Sequence, residues 1–87
     1  MLRPAREPSG QVIPARNGEA EVVCQGVPSW HHCQVIAWHR LERPRRQDPH
    51  RYVEWLVRLR LADGTERWYE HSDGLLRPAG PGPGPGR

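Results

Sequence analysis

The sequence has no lysine and no phenylalanine, one methionine and two cysteines among 87 residues. Without lysine, all its basic charge rests on 13 arginines. Together with much glycine, proline and alanine, this points to a GC-rich genome, so an individual arginine need not have been selected for its guanidinium. Without phenylalanine, the aromatic character falls on four tryptophans and two tyrosines. Two cysteines allow one disulfide at most, which excludes a disulfide-dense scaffold. No apolar run approaches the roughly 18 residues of a membrane-spanning helix. The Arg-containing start, Met1 to Pro8, has no apolar segment behind it and does not read as a secretory signal. The expected compartment is therefore the cytoplasm, with both thiols reduced and no role for a membrane.

Signatures of catalysis are scarce as well. No Gly-rich phosphate cradle stands between a strand and a helix, and no Ser, His and acid fall in a known local frame. A barrel of about 60 residues also has little room for a water-excluding pocket of enzyme size. Cys24 and Cys33 lack the CxxC spacing that makes a zinc site legible, and His31 and His32 are adjacent, so they point apart on a strand. The chain is expected to be non-enzymatic, with no catalytic, cofactor-binding or metal-ligating residues.

Glycine and proline together make up 19 of the 87 residues, concentrated at the two ends. Residues 1–18 read as a disordered, Arg-bearing N-terminal arm. Residues 79–87 alternate Pro and Gly and read as a disordered tail whose period of two excludes a collagen helix. The domain is expected within residues 19–78.

This central part is patterned as strands. Ala20, Val22 and Cys24 alternate, and residues 26–29 form a turn or loop. In the run from Cys33 to Trp38 both faces are partly apolar. Between Tyr52 and Ala62, Val53, Trp55, Val57, Leu59 and Leu61 are apolar at every second position, a period of two that marks Trp55 as the foremost core aromatic. Asp63-Gly64 marks a hairpin. A two-residue turn would set Arg60 opposite Arg67. A three-residue turn would set Arg60 opposite Glu66, Arg58 opposite Trp68 and Val57 opposite Tyr69. Opposed opposite charges gain about 0.2–1 kcal/mol and like charges lose, so the three-residue turn is expected, with Tyr69 inward and Trp68 outward. After a tight turn at residues 71–74, Leu75 to Pro78 closes as a short strand. Four or five short antiparallel strands in about 60 residues imply an all-β, strongly bent small barrel.

Three segments resemble an SH3-like barrel of the Tudor type. Trp30-His31-His32-Cys33-Gln34-Val35 is similar to the family's loop aromatic followed by a small residue and Val. Val57 to Gly64 resembles the strand entering an Asp-Gly turn, and Leu75-Leu76-Arg77-Pro78 resembles the closing element. The resemblance spans residues 20–78 and implies binding rather than catalysis, with methylated Lys or Arg held in an aromatic cage in many members. By position, Trp30 would form one cage wall and Tyr52 or Trp55 another. The 40–51 connection is longer than the family's usual one.

Two binding surfaces follow. Trp30, Tyr52 and Trp68 form the expected aromatic surface for a peptide, a protein partner or a cationic side chain. Alternatively, residues 40–51 form a basic loop that contacts nucleic-acid phosphates through Arg43, Arg45, Arg46 and Arg51, helped by the N-terminal arginines. Against this, residues 19–77 balance nine Arg with nine acids. An exposed edge strand pairing with a partner is a further possibility. Neither the partner nor the oligomeric state is encoded legibly.

Overall fold

A computed structural model describes residues 1–24, 27–48, 51–72 and 74–78. The expected disordered tail, 79–87, lies outside the described residues. Six strands follow one another: β1 (Pro4–Ala5), β2 (Ile13–Cys24), β3 (Val27–Asp48), β4 (Arg51–Leu61), β5 (Glu66–Glu70) and β6 (Leu76–Pro78). They make one antiparallel sheet in the order β1-β5-β4-β3-β2-β6, with no helix among the described residues. The all-β reading stands, and the sheet is not closed, since β1 and β6 are its edges.

The β4–β5 hairpin has the register that charge pairing favours. Arg60 faces Glu66, Arg58 faces Trp68 and Val57 faces Tyr69. Glu66 receives both arginines, Arg60 Nη2 at 2.7 Å and Arg58 Nη2 at 3.0 Å. The Arg60 hydrogen bond, above all, holds the Glu66 carboxyl below its ordinary range. At the turn the Gly64 amide donates to the Leu61 carbonyl and the Leu61 amide to the Thr65 carbonyl. Gly64 has φ +89°, a left-handed conformation that strains any residue with a Cβ.

Apolar residues are buried on both faces of the sheet. The larger cluster joins Leu2, Ala20, Val22, Cys24, Cys33, Val35, Val57, Leu59 and Tyr69. The smaller joins Ala37, Leu56 and Trp68, with Ala5, Ile36 and Leu41 packed against it. Val35 and Ala37 have the same sequence parity yet belong to different clusters. The cause is an irregularity in the β3–β4 register between them: Val35 pairs with Leu59, but Ala37 pairs with Arg58. One inserted residue reverses the faces of everything that follows.

Two expectations are corrected. Residues 1–18 are not a disordered arm: Leu2 is fully buried, Pro4 and Ala5 pair with Tyr69 and Trp68, and β2 begins at Ile13. Leu2 also bridges to Cys24 in parallel fashion and donates its amide to the Val23 carbonyl, while Glu70 donates its amide to Arg3. The first residues thus strap the β5 edge to β2 across the open seam. Their apolar side chains are too few to show a periodicity, which hid the strap. The second correction concerns 40–51, whose described residues are strand and not loop: β3 runs on to Asp48 and β4 starts at Arg51, with Arg45 opposite Val53 and Arg46 opposite Tyr52. Between the Arg40–Trp55 and Arg45–Val53 pairs, residues 41–44 stand opposite Glu54 alone, which breaks the ladder where the hairpin leaves the body of the sheet.

Candidate functional site

At the base of that hairpin the sheet opens a cleft of about 700 Å³. β4 supplies Tyr52, Glu54 and Trp55, β3 supplies Trp38, β2 supplies Ile13, and the chain after β5 supplies His71 and Ser72. Cross-strand pairing sets this arrangement, because Ile13 lies opposite Trp38 and Trp38 opposite Val57. The His71 amide donates to the Trp55 carbonyl at 2.9 Å, which ties the segment after β5 to the cleft wall.

The ring planes meet nearly at right angles. Trp38 and Trp55 lie 6.1 Å apart at 85°, and Trp38 and His71 lie 5.1 Å apart at 85°. These are edge-to-face contacts, favoured by the ring quadrupole, and they hold the indoles in place without a ligand. Arg40 sits 5.8 Å from the Trp55 ring centre, and its Nη2 donates to Glu54 Oε1 at 3.1 Å. A cation over an indole face is therefore already part of this wall. Tyr52 is 55% exposed, and Ile13 beside it is 45% exposed. They are two of the five exposed large apolar residues among those described.

The three aromatics expected to form a binding surface are not brought together. Tyr52 lines the cleft. Trp30 lies elsewhere, on the first part of β3, stacked under the Arg77 guanidinium at 3.8 Å, and Arg77 Nε in turn donates to Glu21 at 2.9 Å. Trp68 is only 6% exposed, which removes it from any binding surface. The expected outward, exposed position is therefore corrected: the register is as expected, but Trp68 belongs to a buried cluster, because β1 pairs with β5 at this point and Ala5, Ile36 and Leu41 pack against that cluster. Beside Tyr52, the aromatics that line the cleft are Trp38 and Trp55. Trp55, the foremost core candidate by periodicity, is only half-buried because it lies where the ladder breaks. The signal for Trp38 was its place in a run apolar on both faces.

Arg43, Arg45 and Arg46 are exposed on the β3 side of the projecting hairpin. Arg45 approaches Glu70 at 3.8 Å, whereas Arg43 and Arg46 make no ion pair among the described residues. The Arg51 side chain lies outside the described residues.

The thiols are separate and buried. Cys24 Sγ lies 3.6 Å from His31 Nε2, and His31 Nδ1 is 3.2 Å from the Ser29 carbonyl. Burial, with smaller contributions from Cys24 and Glu21, pushes the Cys33 thiol up to about 11. An acid raised in the folded state keeps its proton there while the unfolded chain loses it, so stability falls as pH rises through that interval. Burial also pushes the Tyr69 hydroxyl up, with the same sign. The expected outcome is a melting temperature that declines from pH 9 to pH 11, and declines less steeply in Cys33→Ala, as read by thermal unfolding at fixed ionic strength.

Compared with known proteins, the chain matches no family model, and neither a curated protein nor a solved structure matches it.

Proposed function

We propose that this chain is a non-enzymatic binding module, and that the cleft between Trp38, Trp55 and Tyr52 receives a side chain of a peptide or protein partner. The observation that carries the reading is the convergence of three aromatics and one carboxylate, Glu54, on a single open cleft in which Tyr52 and Ile13 are exposed. Rigid aromatic rings offer large contact area at low entropic cost. The right-angled indoles and Glu54 suit a cationic side chain, and Arg40 over Trp55 is an internal example of that contact. On this reading the antiparallel sheet, open between β1 and β6, is an SH3-like architecture of the Tudor type, and the chain acts in the cytoplasm.

The test is selection of peptides from a random-sequence library on the intact chain, followed by fluorescence anisotropy of the selected peptides on variants. Trp55→Ala and Tyr52→Ala are expected to weaken binding by about 10- to 30-fold, as a buried aromatic anchor does. Trp30→Ala should change it less than about two-fold, since Trp30 lies outside the cleft lining. Sensitivity to Trp30 with indifference to Trp55 would overturn the assignment.

A second reading rests on Arg43 and Arg46, which are exposed and carry no ion pair among the described residues; Arg46 stands opposite the aromatic Tyr52, and Arg43 lies in the break opposite Glu54. Such an arm suits phosphates with a base stacked on the ring. Titration with random-sequence DNA and RNA separates the two. Binding through phosphates falls steeply with salt and is lost in Arg43→Ala/Arg46→Ala, whereas binding in the aromatic cleft changes little with either.

A further inference from the structure

We infer that Arg40 is a tethered competitor for the aromatic cleft: its guanidinium holds the place on Trp55 and Glu54 that a cationic side chain of a partner must take. The inference rests on the reading of that cleft as a site for such a side chain, and it names the residue that sets which side chains the cleft accepts.

The register builds this competitor. Arg40 is paired directly with Trp55 across β3 and β4, so the two side chains leave the same face of the sheet. Arg40 is also the last paired residue of β3 before the ladder breaks at residues 41–44. Extra residues on one strand bend it and re-aim the side chains beside the break. Here Glu54, which adjoins Trp55 in the chain, meets the same guanidinium that approaches the Trp55 ring. The guanidinium carbon lies 5.8 Å from the ring centre, and Nη2 lies 3.1 Å from Glu54 Oε1. Both partners of Arg40 line the cleft, and Arg40 reaches them from outside that lining. Glu54 is the one carboxylate among the described residues of the lining, so the anionic acceptor that the cleft offers is already engaged.

The same contacts are weak enough to be displaced. The Arg40 side chain is 66% exposed and that of Glu54 38%. An exposed ion pair shifts an equilibrium by no more than about five-fold, and an exposed cation–π contact by about two- to five-fold. Together they favour the engaged arrangement by about 5- to 20-fold, which leaves roughly 5–15% of molecules with the cation place open. A ligand that needs the open arrangement loses apparent affinity by that fraction. A neutral side chain has no need of Glu54 and escapes most of the loss. Arg40 therefore biases the cleft against single cationic side chains and leaves neutral ones nearly unaffected.

The experiment titrates acetyl-Gly-Arg-Gly-amide and its neutral isostere acetyl-Gly-citrulline-Gly-amide into the full chain at constant ionic strength, following the indole N–H resonances of Trp38 and Trp55. Arg40→Gln is expected to bind the arginine peptide about five-fold or more tightly than wild type does, with the citrulline peptide changed less than about two-fold. Arg40→Lys keeps a tethered cation and is expected to stay within about three-fold of wild type, a dependence on charge that a purely structural role would not produce. Equal affinity of the arginine peptide for wild type and Arg40→Gln would overturn the inference, as would equal gains for both peptides. Equal affinity that is lost in Trp55→Ala would leave the cleft reading intact while this one falls. No response of Trp38 and Trp55 to either peptide in any of these proteins would overturn the cleft reading together with it.

Discussion

Replacing Trp68 by Ala is expected to lower the unfolding free energy by about 3–5 kcal/mol, the usual cost of truncating a buried Trp. The ring is 6% exposed and is the largest member of the smaller cluster, with Ala37 and Leu56. Its removal leaves a cavity bounded by the paired backbones of β1 and β5, which cannot collapse without breaking the Ala5–Trp68 pair. Single domains of this size are stable by only about 5–15 kcal/mol, so the loss is a large share of the total. Trp30→Ala is the matched comparison. That ring lies 36% exposed under Arg77, so its loss should cost no more than about 1 kcal/mol, in the range of an exposed cation–π contact. Urea unfolding of the two variants reads the difference directly. Equal midpoints would show that β1 does not cover Trp68 in solution.

Leu2→Ala carries the second large effect, about 2–5 kcal/mol by the same reasoning for a buried leucine. A residue so near the start of a chain is ordinarily frayed and indifferent to substitution. Here Leu2 is fully buried in the larger cluster beside Cys24, and the amide bonds from Leu2 to Val23 and from Glu70 to Arg3 hold the backbone on either side. Deletion of residues 1–5 removes the same packing and also uncovers Trp68, so it should destabilise more than Leu2→Ala alone. The denaturant midpoints of the two proteins test the order. Leu2→Ala within about 0.5 kcal/mol of wild type, the range of ordinary surface changes, would contradict the strap.

How far the fold was legible depends on where the information lies. The β4–β5 hairpin was readable to the residue because three local signals agree: the alternation from Val53 to Leu61, the Asp-Gly turn, and opposite charges at Arg60 and Glu66. The strap was not, because the stretch from Leu2 to Pro8, with two prolines, three charged residues and one alanine, carries no period, and the partners of Pro4 and Ala5 are more than sixty residues away in β5. The aromatics that line the cleft were half legible. Tyr52 was among the candidates, but which tryptophans join it depended on the register slip between Val35 and Ala37 and on the break opposite Glu54, which no single-strand pattern reveals. Trp68 shows the converse: its register was legible, but its expected exposure was wrong, because the pairing of β1 with β5 covers it.

The strap also orders the events of folding. The β4–β5 hairpin closes a loop of only a few residues, and β3 joins it across a short connection. β1 can dock only after β5 exists, and its closing pairs, Pro4 with Tyr69 and Ala5 with Trp68, join opposite ends of the sequence. Loop-closure entropy places such contacts after the rate-limiting barrier, among those absent from the transition state. Leu2→Ala should therefore leave the refolding arm of a chevron nearly unmoved and raise the unfolding rate, whereas Val57→Ala or Leu59→Ala in the central hairpin should slow refolding. The first residues of this protein then govern how long the folded state lasts, while its middle governs how quickly it is reached.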